Sequence, residues 1–288
     1  MKITNSLGLP EALVNAVSLS PHNKAGQYSA TTLLKGAREI LLTKRHWEEL
    51  EVDVADNIWA LFGTAVHAVL EEQETSEFKE EYLQAVVSSS VVTGRADSYC
   101  LDTKVITDYK TASTWKIKFA DFDDWRRQGL IYAWLFTKSG LAVKRVRFVA
   151  LLKDHSKTQA KRDAGYPQSP VYVYEFDITP EDIAEIETFV LQKVEQLESC
   201  DNVADDDLPD CTQAERWATE DTFAVKKEGR KTAIRVYETM EEANDKLAEL
   251  GKGHYIEERK GTSKKCADYC YASAFCNQWQ KEKEEQNG

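Results

Sequence analysis

Apolar positions along this chain fall into stretches of strand period and stretches of helix period, which predicts a mixed α/β protein. Between Val91 and Thr111, two short apolar runs predict adjacent strands. One ends near Tyr99, the other covers Lys104 to Tyr109, and the turn-prone Leu101-Asp102-Thr103 joins them. Upstream, Ser29-Ala-Thr-Thr offers N-caps for a helix running to about Arg45, with Leu33, Leu34, Ile40 and Leu41 on its buried side. A second helix, from about Asn57 to Gln73, sets Ile58, Leu61, Phe62, Val66 and Leu70 at helical spacing. A third opens at Asp121-Phe-Asp-Asp124, where acidic residues suit the helix dipole, and runs to about Thr137. Its Trp125, Ile131, Trp134 and Leu135 read as packing residues. Strands over Val143 to Leu152 and Val171 to Ile178 flank a long basic loop, the kind of loop that is usually functional or disordered. Thr179-Pro180-Glu181-Asp182 then starts a capped helix to about Leu197.

The ends of the chain are patterned differently. Residues 1 to 27 predict an arm with a short amphipathic helix near Pro10 to Ser18. The acidic stretch from Ser199 to Asp210 reads as a linker. Beyond it, Phe223 to Tyr237 predicts a hairpin turning at Glu228-Gly229, followed by a helix from Glu241 to Leu250 and a strand near His254 to Glu258. The expected organisation is a core over 1–200 with an N-terminal helical arm, and a small cysteine-bracketed α+β module over 201–288.

Composition is that of an ordinary globular protein, with 42% hydrophobic and 30% charged residues among 288. No apolar run approaches the length of a membrane span, and the N-terminus lacks a signal-peptide h-region. The expectation is a cytoplasmic protein. The six cysteines then argue for metal binding over disulfides. The net charge of −12 speaks against general affinity for nucleic acid, yet basic residues gather locally. They do so around Lys35, Arg38, Lys44 and Arg45, at Lys116, Lys118, Arg126 and Arg127, and at Lys153, Lys157, Lys161 and Arg162.

The candidate chemistry lies on the paired strands. Asp108 and Lys110 are two apart and share a strand face, and a hairpin can bring Asp97 beside them. Two carboxylates and an ammonium make a poor core but suit a divalent cation and a water beside a phosphate. On the second helix His67 and Glu71 fall four apart, on one face with Gly63. On the third, Gln128 and Tyr132 do the same.

Gly94-Arg95-Ala96-Asp97, ten residues, then Asp108-Tyr109-Lys110-Thr111 resembles the core of the PD-(D/E)XK nucleases, with Gly-Arg-Ala in place of the usual Pro. Gly63-x3-His67-x3-Glu71 upstream and Gln128-x3-Tyr132 downstream match its RecB-like branch. The resemblance implies a restriction-endonuclease-like core, a mixed central sheet flanked by helices. It implies Asp97, Asp108, Lys110, Gln128 and Tyr132 as catalytic residues. His67, Asp97, Asp108, Glu71 and the Tyr109 carbonyl would hold Mg²⁺ or Mn²⁺. The first helix would lie near nucleic acid, with Lys35, Arg38, Arg126, Arg127, Lys153, Lys157, Lys161 and Arg162 as candidate phosphate contacts.

Cys211, Cys266, Cys270 and Cys276 supply the four thiolates that Zn²⁺ or a 4Fe–4S cluster requires, while Cys100 and Cys200 read as bystanders. The cluster is similar to the C-termini of iron–sulfur RecB-like nucleases such as the AddB family and the CRISPR-associated nucleases. It departs from them in having Cys-x3-Cys and no cysteine before Cys100. The leading expectation is a metal-dependent exonuclease acting on DNA ends in recombination, repair or phage DNA processing, by analogy beside a single-strand annealing protein. The alternatives are a structure-specific or restriction-like endonuclease and a catalytically inactive DNA-binding scaffold. No G-x4-G-K-S/T loop is present, so unwinding is not expected of this chain.

Overall fold

The computed structural model describes residues 1–17, 26–74 and 77–287. In chain order the strands are β1 (Lys2–Thr4), β2 (Gln27–Ser29), β3 (Glu51–Asp53), β4 (Phe78–Val87), β5 (Ser90–Cys100), β6 (Val105–Ala112), β7 (Arg145–Leu152) and β8 (Val171–Asp177), then β9 (Thr222–Lys227), β10 (Arg235–Tyr237) and β11 (His254–Arg259). The helices are α1 (Glu11–Ala16), α2 (Ala30–Leu33), α3 (Ala37–Arg45), α4 (Ile58–Glu71), α5 (Thr114–Lys118), α6 (Asp123–Lys138), α7 (Lys157–Arg162), α8 (Pro180–Ser199), α9 (Gln213–Arg216), α10 (Met240–Leu250), α11 (Lys264–Asp268) and α12 (Asn277–Asn287). Among the described residues no helix is long and apolar enough to cross a membrane. The end of the expected N-terminal amphipathic helix, Ser18, lies outside the described residues.

Two compact units share these elements. One comprises Met1–Lys35 and Trp47–Asn202, the other Gly36–His46 and Val203–Gly288. The first is built on a six-stranded mixed sheet in the order β2-β5-β6-β7-β8, with β4 also paired to β5. The β6–β7 pair is parallel, while β4–β5, β5–β6 and β7–β8 are antiparallel. Helix α6 packs on it and α8 packs on α6, and Trp125, Ile131, Trp134, Leu135, Phe136 and Phe148 form the buried centre. The predicted capping box of α8 is present, with Asp182 N donating to Thr179 Oγ1 and Thr179 N donating to Asp182 Oδ2. Strand β4 was not expected. Its alternation sits inside an acidic run, and three of its apolar side chains, Phe78, Tyr82 and Val86, face solvent.

The expected single helix from Ser29 to Arg45 is two helices, divided before Gly36, which caps α3. Helix α3 belongs to the second unit. There Arg38 is buried and donates to the Leu208 and Pro209 carbonyls and to Asn277 Oδ1, and pairs with Asp210. Glu39, also buried, pairs with Lys265 at 2.6 Å. The segment read as lying near nucleic acid is thus a helix whose residues 37–42 are buried inside this unit. Three antiparallel strands in the order β10-β9-β11, with α10 against them, complete this unit, and the predicted turn sits at Gly229 with φ 77°.

The end of α3 is fixed by Asp205, whose carboxylate accepts from Arg45 Nη1 at 2.6 Å and pairs with His46 Nε2 at 2.7 Å. These bonds, the Arg45 one foremost, hold the Asp205 carboxyl below the usual range. Its stabilisation is complete above the unfolded carboxylate pKa of about 3.9 and is lost as pH falls through the lower folded value. Asp205→Asn is expected to cost about 1–2 kcal/mol at neutral pH and to flatten the fall in melting temperature below about pH 4. Thermal melts from pH 3 to 7 check this, and parallel pH curves for wild type and variant would refute it.

Candidate active site

Strands β5 and β6 pair only from Ser98↔Thr107 to Cys100↔Val105, then part. Asp97 and Asp108 are the first residues beyond the last rung, and so face each other across the fork. Parting leaves the Tyr109 amide without a ladder partner, and Asp97 Oδ2 accepts it at 2.6 Å. The other Asp97 oxygen meets His67 Nδ1 of α4 at 3.0 Å. That hydrogen bond raises the His67 pKa, against the opposing effect of burial.

Asp108 is buried, and burial raises its pKa although Lys110 pulls the other way. The Lys110 ammonium lies 2.7 Å from Asp108 Oδ2 as an ion pair. Beyond that ion pair, this oxygen has no hydrogen-bond partner among the described residues. Lys110 Nζ donates instead to Gln128 Oε1 at 2.9 Å, and Gln128 Nε2 donates to Tyr132 Oη at 2.8 Å. Helix α6 can bring this pair to the sheet because β5 carries Gly94 opposite it. A Cβ there would meet Leu135 Cδ1 at 2.5 Å and Tyr132 Cδ1 at 3.0 Å.

The structure therefore gathers His67, Asp97, Asp108, Tyr109, Lys110, Gln128 and Tyr132. Glu71 stands at the edge, exposed, with Arg95 Nη2 at 3.4 Å. A small cavity of about 30 Å³ is lined by His67, Glu71, Asp97, Tyr109 and also Glu77, a carboxylate that the sequence showed only as part of an acidic run. Among the described residues no three His, Cys, Asp or Glu side chains converge as a metal site. Here the acidic and imidazole groups are turned onto one another and onto Lys110. The buried Asp108 oxygen nevertheless fits a cation: an ammonium 2.7 Å away already answers its charge, and among the described residues no hydrogen bond does.

The expected phosphate contacts do not assemble here. Arg38 is buried as described. Arg126 donates to Asp182 Oδ1 and lies over Phe176, and Arg127 lies over Phe189, so both lean toward α8 and β8. Lys35 sits in the turn between α2 and α3. Lys157, Lys161 and Arg162 are exposed on α7, a short helix within the loop that was read as functional or disordered. The buried Tyr166 anchors that loop, its hydroxyl accepting Ser156 N at 2.8 Å. Lys153 points elsewhere, over the ring of Trp59.

In the second unit Cys211, Cys266, Cys270 and Cys276 line one cavity of about 20 Å³. Burial pushes the thiols of Cys211 and Cys266 up to about 11 and that of Cys270 to about 12. A Cβ at Gly36 would lie 2.6 Å from Cys211 Sγ, so only glycine leaves room for that sulfur. Cys100 and Cys200 belong to the first unit.

No family model and no curated protein matches the chain. Among solved structures it is similar to SSO0001, with TM-score 0.46 and 18% identity over 66% of this chain and 85% of that one. It is also similar to the alkaline exonuclease LHK-Exo from Laribacter hongkongensis in complex with dAMP, at TM-score 0.40 and 18% identity over 60% and 89%. A phage-related exonuclease from Haemophilus somnus 129PT follows at TM-score 0.30 and 13% identity over 66% and 88%. Likenesses this remote transfer no activity. In class the chain is a mixed α/β protein, a central mixed sheet flanked by helices.

Gly94→Ala tests the close approach of α6. It is expected to cost about 1–3 kcal/mol and to loosen Tyr132 from Gln128. A melt with an unchanged midpoint would show that the helix yields without strain.

Proposed function

We propose that this protein is a metal-dependent nuclease that hydrolyses DNA phosphodiester bonds, acting as an exonuclease on DNA ends. The observation that carries the reading is the β5–β6 fork, where Asp97, Asp108 and Lys110 converge and a buried Asp108 oxygen has no hydrogen bond. Asp97 and Asp108, with His67, Glu71 and the Tyr109 carbonyl beside them, would hold Mg²⁺ or Mn²⁺, which when bound lowers the pKa of a water and offsets phosphate charge. Imidazole among the ligands favours Mn²⁺.

The chain's own groups do the positioning. Lys110, held by Gln128, aims its ammonium into the fork, where it orients the attacking water and stabilises the anionic phosphorane-like state. Tyr132 fixes Gln128 in turn, and neither adds charge. As water oxygen bonds to phosphorus, the bond to the ribose oxygen breaks and the leaving oxygen takes up a proton.

The four cysteines support a second, structural site for Zn²⁺ or a 4Fe–4S cluster. Burial disfavours free thiolates there, and a cation is what would stabilise them. Absorbance near 400 nm would mark iron–sulfur, and acid-released zinc would mark Zn²⁺. Purified protein with neither metal would refute this site.

For the main reading, an end-labelled linear duplex, a single strand and a closed circle are digested with Mg²⁺ or Mn²⁺. Linear DNA is expected to shorten while the circle survives, and Lys110→Ala to lose on the order of 10² to 10³ in rate. Cutting of the circle would make the enzyme an endonuclease. No cutting with either metal would leave a DNA-binding scaffold.

A further inference from the structure

Four large aromatic side chains stand in solvent on and next to the two helices that adjoin β6, α4 packed against it and α5 following it. Trp59 is 60% exposed and Phe62 43% on α4, and Trp115 is 57% and Phe119 70% on and just after α5. They form two pairs. Trp59 and Phe62 meet edge to face at 6.4 Å, and Trp115 stacks on Phe119 at 5.7 Å. Each tryptophan face carries a lysine, Lys153 Nζ at 4.1 Å from the Trp59 ring and Lys118 Nζ at 5.0 Å from the Trp115 ring.

The two pairs belong to one region of the first unit. Lys153 N donates to the Ala112 carbonyl at the end of β6. Its neighbour Asp154 accepts from Thr114 N at 2.7 Å and Ser113 Oγ at 2.9 Å, which ties the start of α5 to the same place. On α4, Trp59, Gly63 and His67 fall at intervals of four and share a stripe. A Cβ at Gly63 would lie 3.4 Å from Thr111 Oγ1, so this stripe faces β6. His67 stands at one end of it, on Asp97, and Trp59 lies two turns away, about 12 Å along the axis.

We propose that these rings and lysines form a platform for a single-stranded segment of DNA leading into the fork. The indoles stack on bases, and Lys118 and Lys153 swing from the ring faces to the neighbouring phosphates. Aromatic rings interleaved with cations are the means by which proteins hold single strands without reading sequence. A protein partner fits less well, because lysine is depleted at protein interfaces. The proposal rests on the nuclease reading and adds its substrate class, a single strand or a duplex end that frays into one.

Fluorescence anisotropy in EDTA, where nothing is cut, compares a labelled twenty-residue oligothymidylate with an abasic strand of equal charge. Wild type is expected to prefer the oligothymidylate by about tenfold or more. The Trp59→Ala/Trp115→Ala double variant is expected to lose that preference while binding the abasic strand as before, and Trp59→Phe/Trp115→Phe to keep most of it. Lys118→Gln and Lys153→Gln are each expected to reduce the log–log salt slope by about 0.7. Should the alanine variant fail to fold, judged by circular dichroism, the phenylalanine and lysine variants decide.

Equal binding of both strands by wild type overturns the platform, as does an alanine variant that keeps the preference. An alanine variant with normal DNA binding but altered size in gel filtration would assign the rings to a protein interface and also refute it. Digestion run in parallel separates the two readings. Cutting without base preference sinks only the platform, whereas base preference lost in the alanine variant, in a wild type that cuts nothing, sustains the platform and sinks the nuclease.

Discussion

Burying a carboxylate costs several kcal/mol unless a counter-charge and hydrogen bonds answer it, and Asp108 is buried with one oxygen unbonded. Much of the first unit follows from how that cost is met. Lys110 supplies the counter-charge from two residues along the same strand, so it must be held over Asp108 and away from water. Gln128 holds it, and Tyr132 holds Gln128. Both sit on α6, which must come close to β5, and Gly94 is the position that permits this. A sheet residue with no side chain, a helix with a polar pair four apart and a charged strand face are thus one device.

The same economy explains where the acidic balance of the chain stops mattering. A net charge of −12 repels a polyanion at long range, but screening shortens that reach to about 8–10 Å at physiological salt. At the fork itself the charged groups are Asp97, Asp108 and Lys110, with His67 on Asp97 and with Glu71 and Glu77 lining the cavity beside them.

Sequence patterns made the site legible because its logic is local. Strand alternation placed Asp108 with Lys110, helical spacing placed His67 with Glu71 and Gln128 with Tyr132, and a short turn placed Asp97 opposite Asp108. The errors arose where partners are distant in sequence. Arg38 was read as a phosphate contact because nothing near it in sequence shows that it donates to Leu208, Pro209 and Asn277. Arg126 was read as a phosphate contact when Asp182 already takes it. Strand β4 escaped notice because its pairing with β5, more than its own composition, makes it a strand. Trp59 and Trp115 could not be told from core tryptophans, since exposure is a property of the fold.

The cysteines show how far such distances can be closed at little cost. Cys211 and Cys266 are far apart in sequence, yet they line one cavity. Between them β9, β10, α10 and β11 fold against one another, and the ends of that insertion are pinned together. Ala218 bridges Ser263, Thr219 N donates to the Thr262 carbonyl at 3.1 Å, and Gly261 N donates to Asp221 Oδ1 at 2.8 Å. Loop closure costs entropy only for chain that is free to move, and the cost grows slowly with length. An insertion that supplies its own sheet and joins its own ends therefore counts as a short loop when the thiols meet. Spacing in the sequence, which counts every residue alike, measures the wrong length here. The effective separation is the few residues from Cys211 to Ala218 and from Ser263 to Cys266.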